Sequence, residues 1–249
     1  MASPWIVDVH SHVVPTGDDG AATIEEGIDL CRDAFRHGTR VLYATPHVHA
    51  AWDSYPLTPA RAARYEEAFP VMRDACAEFG LDLRHGFEVY PAALPIDADL
   101  RDFALDDSGT YLVEFPGSWT GESDALELVR REAQRAEAAG LVPVLAHPER
   151  CSQIVADPER ARDFAERGWL LALNGLSLDG RHGPRSEWAA WQLLDAGLGD
   201  LVASDGHRAR RNARLDWAYD LLASRLGRAR ARRLLDGSAL GRTPSAVAA

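Results

Sequence analysis

Trp5-Ile6-Val7-Asp8-Val9-His10-Ser11-His12 is a short apolar run that ends on two histidines one residue apart. In an extended strand alternate side chains share a face, so the imidazoles of His10 and His12 point the same way and can serve one ion. Such a pair alone is weak evidence, since a half-buried strand can carry imidazoles satisfied by ordinary hydrogen bonds. The remaining sequence shifts the balance. Further apolar runs occupy 40–44, 81–89, 111–115, 142–146, 169–174 and 201–203. At or just beyond the ends of runs stand His47, Glu88, Glu114, His147, Asp205 and His207, and Asp18-Asp19-Gly20 follows the first run. Packing alone does not place titratable residues so regularly.

Helical segments separate most of these runs. One starts at the capping box Thr23-Ile24-Glu25-Glu26, carries Ile24, Ile28, Cys31, Ala34 and Phe35 on one face, and stops at Gly38. A second opens at Thr58-Pro59, with Pro70 expected to kink or divide it, and a third spans Ser123 to Ala139. About seven strands alternating with helices predict a parallel sheet. No Gly-x-Gly-x-x-Gly follows the first strand, which disfavours a doubly wound dinucleotide fold. The expected fold class is α/β, a distorted (β/α) TIM-like barrel of about seven strands in a single domain, with catalytic groups at the C-terminal strand ends. The barrel is expected over 1–241, with 242–249 a disordered tail.

The 249 residues match the usual size of one barrel, and 46% hydrophobic with 26% charged residues is ordinary for a soluble domain. No apolar run approaches the roughly 18 residues that cross a bilayer. The N-terminus lacks the basic patch and apolar stretch of a secretory signal, so a cytoplasmic location without membrane insertion is expected. A net charge of −11 disfavours nucleic acid as a partner. Cys31, Cys76 and Cys151 are too few and scattered for a disulfide framework. There is no lysine, which removes Schiff-base chemistry and the P-loop lysine together.

Five histidines and four carboxylates, His10, His12, Asp19, His47, Glu88, Glu114, His147, Asp205 and His207, therefore form a candidate multinuclear centre. Imidazole with carboxylate suits Zn²⁺, Mn²⁺ or Fe²⁺, and the lack of cysteine disfavours a closed structural zinc site. Clustered divalent ions can bridge a hydroxide at neutral pH and neutralise an oxyanion, so phosphoester hydrolysis is the natural reaction. Arg150, three residues after His147, is placed to grip phosphate oxygens. Beyond His207 comes Arg208-Ala209-Arg210-Arg211-Asn212-Ala213-Arg214, ordinarily a solvated run but here adjoining a candidate ligand. A cysteine-based phosphatase needs an arginine at a fixed distance beyond its nucleophile, yet the corresponding positions are His37, Asp82 and Asp157. Simpler roles are expected for His37 at a helix end, His85 within a strand, His182 in a polar loop and the basic stretch 228–233 as a wet helix face. His49 is expected at the pocket mouth without a partner.

Asp-x-His-x-His, Asp-Asp-Gly, Thr-Pro-His, Glu-Phe, Ala-His-Pro-Glu-Arg and Ser-Asp-x-His, in this order, resemble the polymerase and histidinol phosphatase (PHP) superfamily. From Ile6 to about Gly237 the chain is similar to its bacterial protein-tyrosine phosphatase branch, the CpsB/YwqE type. The resemblance implies a distorted barrel with two or three divalent ions, commonly manganese, with iron or zinc as alternatives. It implies one ion on His10, His12, Glu88 and Asp205, a second on Glu88, Glu114 and His147, and a third on Asp19, His47 and His207. Arg150 and Arg211, with Asp205, take the catalytic roles it implies. Arg211-Asn212-Ala213 replaces the family's Arg-Pro-Pro, so Arg208 and Arg210 stand as alternatives to Arg211. The implied substrate is a phosphotyrosine-bearing bacterial kinase of capsule or exopolysaccharide synthesis, and a homo-oligomer is compatible. The competing readings are a small-molecule phosphatase such as histidinol-phosphate phosphatase, a nuclease of the same superfamily, and an inactive metal-binding regulatory module.

Overall fold

Ile6–Ser11 forms strand β1 and Thr39–Ala44 strand β2, joined through helix α1 (Ile24–Arg36). The Thr23 hydroxyl accepts from the Glu26 amide at 3.1 Å, and the Glu26 carboxylate reaches back to the Ala22 amide at 2.8 Å. The expected N-terminal cap is therefore present, its carboxylate bonding one residue beyond Thr23. Then follow β3 (His47–Val48), α2 (Pro59–Glu78), β4 (Asp82–His85), β5 (Glu88–Val89), β6 (Thr110–Glu114), α3 (Ala125–Ala138) and β7 (Val142–Ala146). The chain continues through α4 (Ser152–Ala156), α5 (Arg162–Glu166), β8 (Leu170–Asn174), α6 (Pro184–Asp195), β9 (Leu201–Ala203), α7 (Asp216–Leu226) and α8 (Arg228–Leu235). The computed structural model describes residues 5–51, 53–106, 108–116 and 124–241. The expected tail 242–249, and the start of the third helix at Ser123, lie outside them.

Two expectations need correction. Of the kink or division expected at Pro70, division does not occur, since helix α2 runs through it as one element. Pro70 lies on its exposed face, so the carbonyl that loses an amide partner can turn to water, while Tyr65, Ala68, Met72 and Cys76 keep the opposite face buried. The run 81–89 is not one strand but β4 and β5, interrupted at Gly86-Phe87. A Cβ at Gly86 would stand 2.5 Å from Leu105 Cδ2, so the chain passes there where no side chain fits. Thr45-Pro46 interrupts β2 and β3 in the same way.

Both bent pairs keep one register, since Ala44 pairs with His85 and, beyond the break, His47 pairs with Glu88. All pairings are parallel, in the orders β1-β2-β4 and β3-β5-β6-β7-β8-β9. With each bent pair taken as one stave, the nine described strands make seven positions. The ring closes between its first and last members. His12 N–H donates to Gly206 O at 2.6 Å, Asp205 N–H donates to His10 O at 2.9 Å, and Ser11 bridges Gly206.

Alternation along the strands sorts the side chains into two cores. Tyr111, Val113, Leu145 and Leu171 face outward against the helices. Leu112, Val142, Val144, Ala146, Leu170, Ala172, Leu201 and Ala203 fill the interior, with Ala239 and Leu240 packed among them. Among the described residues no helix is long and apolar enough to cross a membrane.

Gly206 tests the closure. A Cβ there would stand 2.7 Å from Ala213 Cα and 2.8 Å from Ala213 N, so backbone must move at the seam. Gly206→Ala should cost about 1–3 kcal/mol by overpacking, lowering Tm by roughly 2–4 °C per kcal/mol. An unchanged thermal unfolding curve would contradict a seam closed at this point.

Candidate metal centre

The inward parity that fills the barrel continues to the C-terminal strand ends and turns polar there. Leu112 leads to Glu114, Ala172 to Asn174 and Ala203 to Asp205, each two residues on along its chain. His147 breaks the parity of β7 with φ 41°, and Asp205 carries φ 48°. Left-handed backbone at a non-glycine residue costs about 1–3 kcal/mol and persists only where surroundings enforce it. In β1 the register against β2 shifts between Asp8 and Ser11, an irregularity of the kind that re-aims side chains beside sites. Asp18-Asp19-Gly20 folds tightly against His12, where a Cβ on Gly20 would collide with the His12 carbonyl oxygen. Asp18 holds this turn by accepting from Gly20 N–H at 3.1 Å and from His47 N–H at 3.2 Å.

All nine residues expected from the sequence meet at this mouth. The Nε2 atoms of His10 and His12 are 3.2 Å apart and lie 3.2 and 3.3 Å from Glu88 Oε2, with Asp205 Oδ1 at 3.6 and 3.5 Å. Glu88 Oε1 is 2.8 Å from His147 Nε2, and its Oε2 is 2.9 Å from His47 Nδ1. Asp19 Oδ1 lies 3.4 Å from His47 Nε2 and 3.3 Å from His207 Nε2. Among the described residues four sets have candidate donor atoms within 4.8 Å of one another: His12, Asp19, His47 and His207; His10, Glu88 and His147; His10, His12 and Asp205; His47, His49 and Glu114. Glu114 thus groups with His47 and His49 rather than with Glu88 and His147. His49 is not partnerless as expected, because its Nε2 is 3.1 Å from Glu114 Oε2.

This crowding moves the proton equilibria. Burial opposes charge on Glu88 and Asp205, yet the surrounding imidazoles hold both carboxyls well below the usual range. Burial and the neighbouring His12 charge push His47 down, but Glu88 and Asp19 outweigh them and raise it to about 10. His12 is also raised, against burial, by Asp18, Asp205 and Glu88. His10 and His207 are lowered, chiefly by burial.

The donor set fits divalent cations. Glu88 Oε2, Asp19 Oδ1, His12 Nδ1 and His147 Nδ1 are buried without a hydrogen-bond partner. Two facing ring nitrogens at the His10–His12 distance cannot both be satisfied as acceptors by each other. Nitrogen and oxygen donors without sulfur are what Mn²⁺, Fe²⁺ or Zn²⁺ accept.

The two arginines converge on one atom. Arg150 Nη1 and Arg211 Nη2 donate to Asp205 Oδ2 at 3.0 and 2.8 Å. Arg208 instead donates to the Gly20 carbonyl and Arg210 is exposed, so of the three candidates Arg211 is the one beside Arg150. Other contributors stand outside the nine candidate ligands and the candidate arginines. Asn174 Nδ2 donates to Asp205 Oδ2 at 2.8 Å, and Arg61 bonds Thr16 and the His47 carbonyl. Glu149, fully buried, accepts from the Ser177 hydroxyl and the Asn174 amide. His182, expected to be an ordinary loop residue, contacts Ser177, and burial together with the Arg150 charge lowers it to about 4. Asp8 was legible only as the start of Asp-x-His-x-His; it accepts from Ser204 N–H at 3.0 Å, while burial pushes its carboxyl up to about 7.

Known proteins resemble this chain in sequence and in fold. The chain is 28% identical over 230 residues to tyrosine-protein phosphatase YwqE of Bacillus subtilis (strain 168), covering 89% of this chain and 85% of that one. It is 26% identical over 245 residues to tyrosine-protein phosphatase CpsB of Streptococcus pneumoniae, covering 92% and 94%. A solved structure described under YwqE from Bacillus subtilis and CpsB from Streptococcus pneumoniae, metal-dependent tyrosine phosphatases, superposes with a TM-score of 0.78 at 27% identity, covering 96% of each chain. An amidohydrolase from Mycoplasma synoviae, with a TM-score of 0.57 at 12% identity, shares the fold alone. Residues 6–239 match the family described as capsular polysaccharide synthesis, CpsB/CapC, and the chain belongs to that family.

Proposed function

We propose that this chain is a metal-dependent protein-tyrosine phosphatase of the capsular polysaccharide synthesis family, acting on a phosphotyrosine-bearing protein. A bacterial tyrosine kinase of capsule or exopolysaccharide synthesis is the substrate that the family resemblance implies. The observation that carries the chemistry is the buried cluster of imidazoles and carboxylates with Arg150 and Arg211 converging beside it. In this reading His10, His12, Asp19, His47, Glu88, Glu114, His147, Asp205 and His207 hold two or three divalent ions, manganese foremost, with iron or zinc as alternatives. Bound there, such ions supply an activated water at neutral pH and neutralise phosphate charge.

The remaining work falls to the chain's own residues. Arg150 and Arg211 orient the phosphoryl oxygens and stabilise charge as the ester bond breaks. Asp205 holds both guanidinium groups through Oδ2, the oxygen that Asn174 Nδ2 also bonds. Cys151 follows Arg150 but is buried, and burial pushes its thiol up, so it offers no thiolate for a phosphoenzyme. A phenolate leaves with an ordinary pKa near 10, so it makes small demands on a general acid.

The decisive assay supplies manganese and compares phosphotyrosine peptides, phosphoserine peptides, histidinol phosphate and single-stranded DNA. Phosphotyrosine should be turned over fastest and a chelator should abolish turnover; equal or better rates on another substrate would overturn the assignment. Arg150→Ala and Arg211→Ala should each lower kcat/KM by about 10²–10³, whereas Arg210→Ala should leave it near the wild-type value. A flat response across all three would remove the arginines from the site.

Proton release checks the electrostatics. His12 and His47 are raised in the ion-free protein and so carry protons at pH 7, which an incoming cation must displace. Manganese affinity should therefore rise with pH from 6 to 9, and calorimetric heats at pH 7 should depend on the buffer's ionisation enthalpy. Heats independent of buffer would show that both rings are already neutral.

A further inference from the structure

We propose that His49 is an additional metal ligand of this chain, sharing with Glu114 the ion on that side of the centre. The inference rests on the reading of the cluster as a metal centre and adds a residue outside the nine. His47-Val48-His49 repeats the His-x-His spacing of His10-Ser11-His12 on another stave of the barrel. Three donor atoms from three parts of the chain surround His47 Nδ1: Glu88 Oε2 at 2.9 Å, His49 Nε2 at 3.3 Å and Glu114 Oε2 at 3.8 Å. A neutral imidazole binds an ion through one nitrogen. If His47 uses Nε2, which faces Asp19, an ion beside Glu114 takes its nitrogen donor from another ring. His49 supplies it, since its Nε2 is already 3.1 Å from Glu114 Oε2.

The ring is held as a ligand would be. Its side chain is 10% exposed, its backbone amide donates to Tyr55 O at 3.1 Å, and the Tyr55 and Tyr90 rings pack beside it at 5.6 and 5.3 Å. The other nitrogen, Nδ1, is buried without a hydrogen bond and faces Asp53 Oδ2 at 3.4 Å, the outer carboxylate that commonly orients a ligating imidazole. Nε2 thus stands between the His47 ring and the Glu114 carboxylate, while Nδ1 faces the Asp53 carboxylate.

The test is manganese binding by the full chain, read as metal per protein by mass spectrometry and as free Mn²⁺ by electron paramagnetic resonance. His49→Ala and His49→Gln are compared with wild type after thermal unfolding shows them folded. One class of site should weaken at least ~10-fold while the remaining isotherm is unchanged. Wild-type stoichiometry and affinity in both variants would overturn the role of His49 and leave the metal centre standing. A wild-type chain that binds no manganese, iron or zinc would overturn the centre itself. Independently of any variant, manganese should slow carbethoxylation of His49 in the wild-type protein, mapped by peptide mass; an unchanged rate in a metal-loaded chain would also overturn the proposal.

Discussion

A fully buried carboxylate, Glu88, sets the terms for everything around it. Taking an ionised carboxylate out of water costs several kcal/mol unless charge and hydrogen bonds replace the solvent. Glu88 answers with both oxygens, Oε1 against His147 and Oε2 against His10, His12 and His47. Four imidazoles from three staves of the barrel therefore converge on one side chain. Even so, Oε2 has no hydrogen bond by geometry. The imidazoles supply proximity but not a complete set of donors, which is the condition under which a cation is the natural partner of the whole group.

That convergence depends on the two bent staves. His47 and Glu88 are register partners because β2/β3 and β4/β5 break at equivalent levels and resume in step. An unbroken strand over 81–89 would keep strict alternation through the last turn of the barrel. The breaks at Thr45-Pro46 and Gly86-Phe87 instead permit a change of direction just where the lining turns from apolar to polar. Gly86 is needed because Leu105 occupies the space of its Cβ, and Leu105 belongs to the interior core. The packing of the barrel and the placing of its ligands are thus the same constraint at this corner. His147 and Asp205 reach the mouth differently, through left-handed backbone whose cost the packed barrel carries.

Much of this was readable in the sequence, and the reason is local. Strands β7 and β9 lie where their apolar runs predict them, since a buried parallel strand needs no more than a continuous apolar stretch between turns. The ligand candidates were visible because they fall at the ends of such runs. What was not visible depends on contacts far apart in the chain. Arg61 reaches the centre by bonding the His47 carbonyl from helix α2, and no local pattern marks an arginine for that task. Asn174 looked like the last residue of a strand, yet its amide bonds Asp205 across 31 positions. His49 was read as partnerless because its partner, Glu114, lies 65 positions away. Pro70 misled in the other direction: a proline inside a helix is costly where the freed carbonyl is buried, and here the proline sits on the wet face.

Asp205 joins the two halves of the chemistry. Its Oδ1 faces the nitrogens of His10, His12 and His207, while its Oδ2 accepts from Arg150, Arg211 and Asn174. One oxygen thus belongs to the cation side of the site and the other to the anion side. The carboxyl is held well below its usual range, so both oxygens stay available as acceptors throughout the neutral range. Its left-handed backbone fixes the side chain between the two groups, and its amide donates to His10 O at the seam where the barrel closes. The distance between the cluster of imidazoles and carboxylates and the two arginines is consequently set by a single residue that also closes the fold. A shift of that seam moves both groups together, which keeps an attacking oxygen and the phosphorus it meets in a fixed relation.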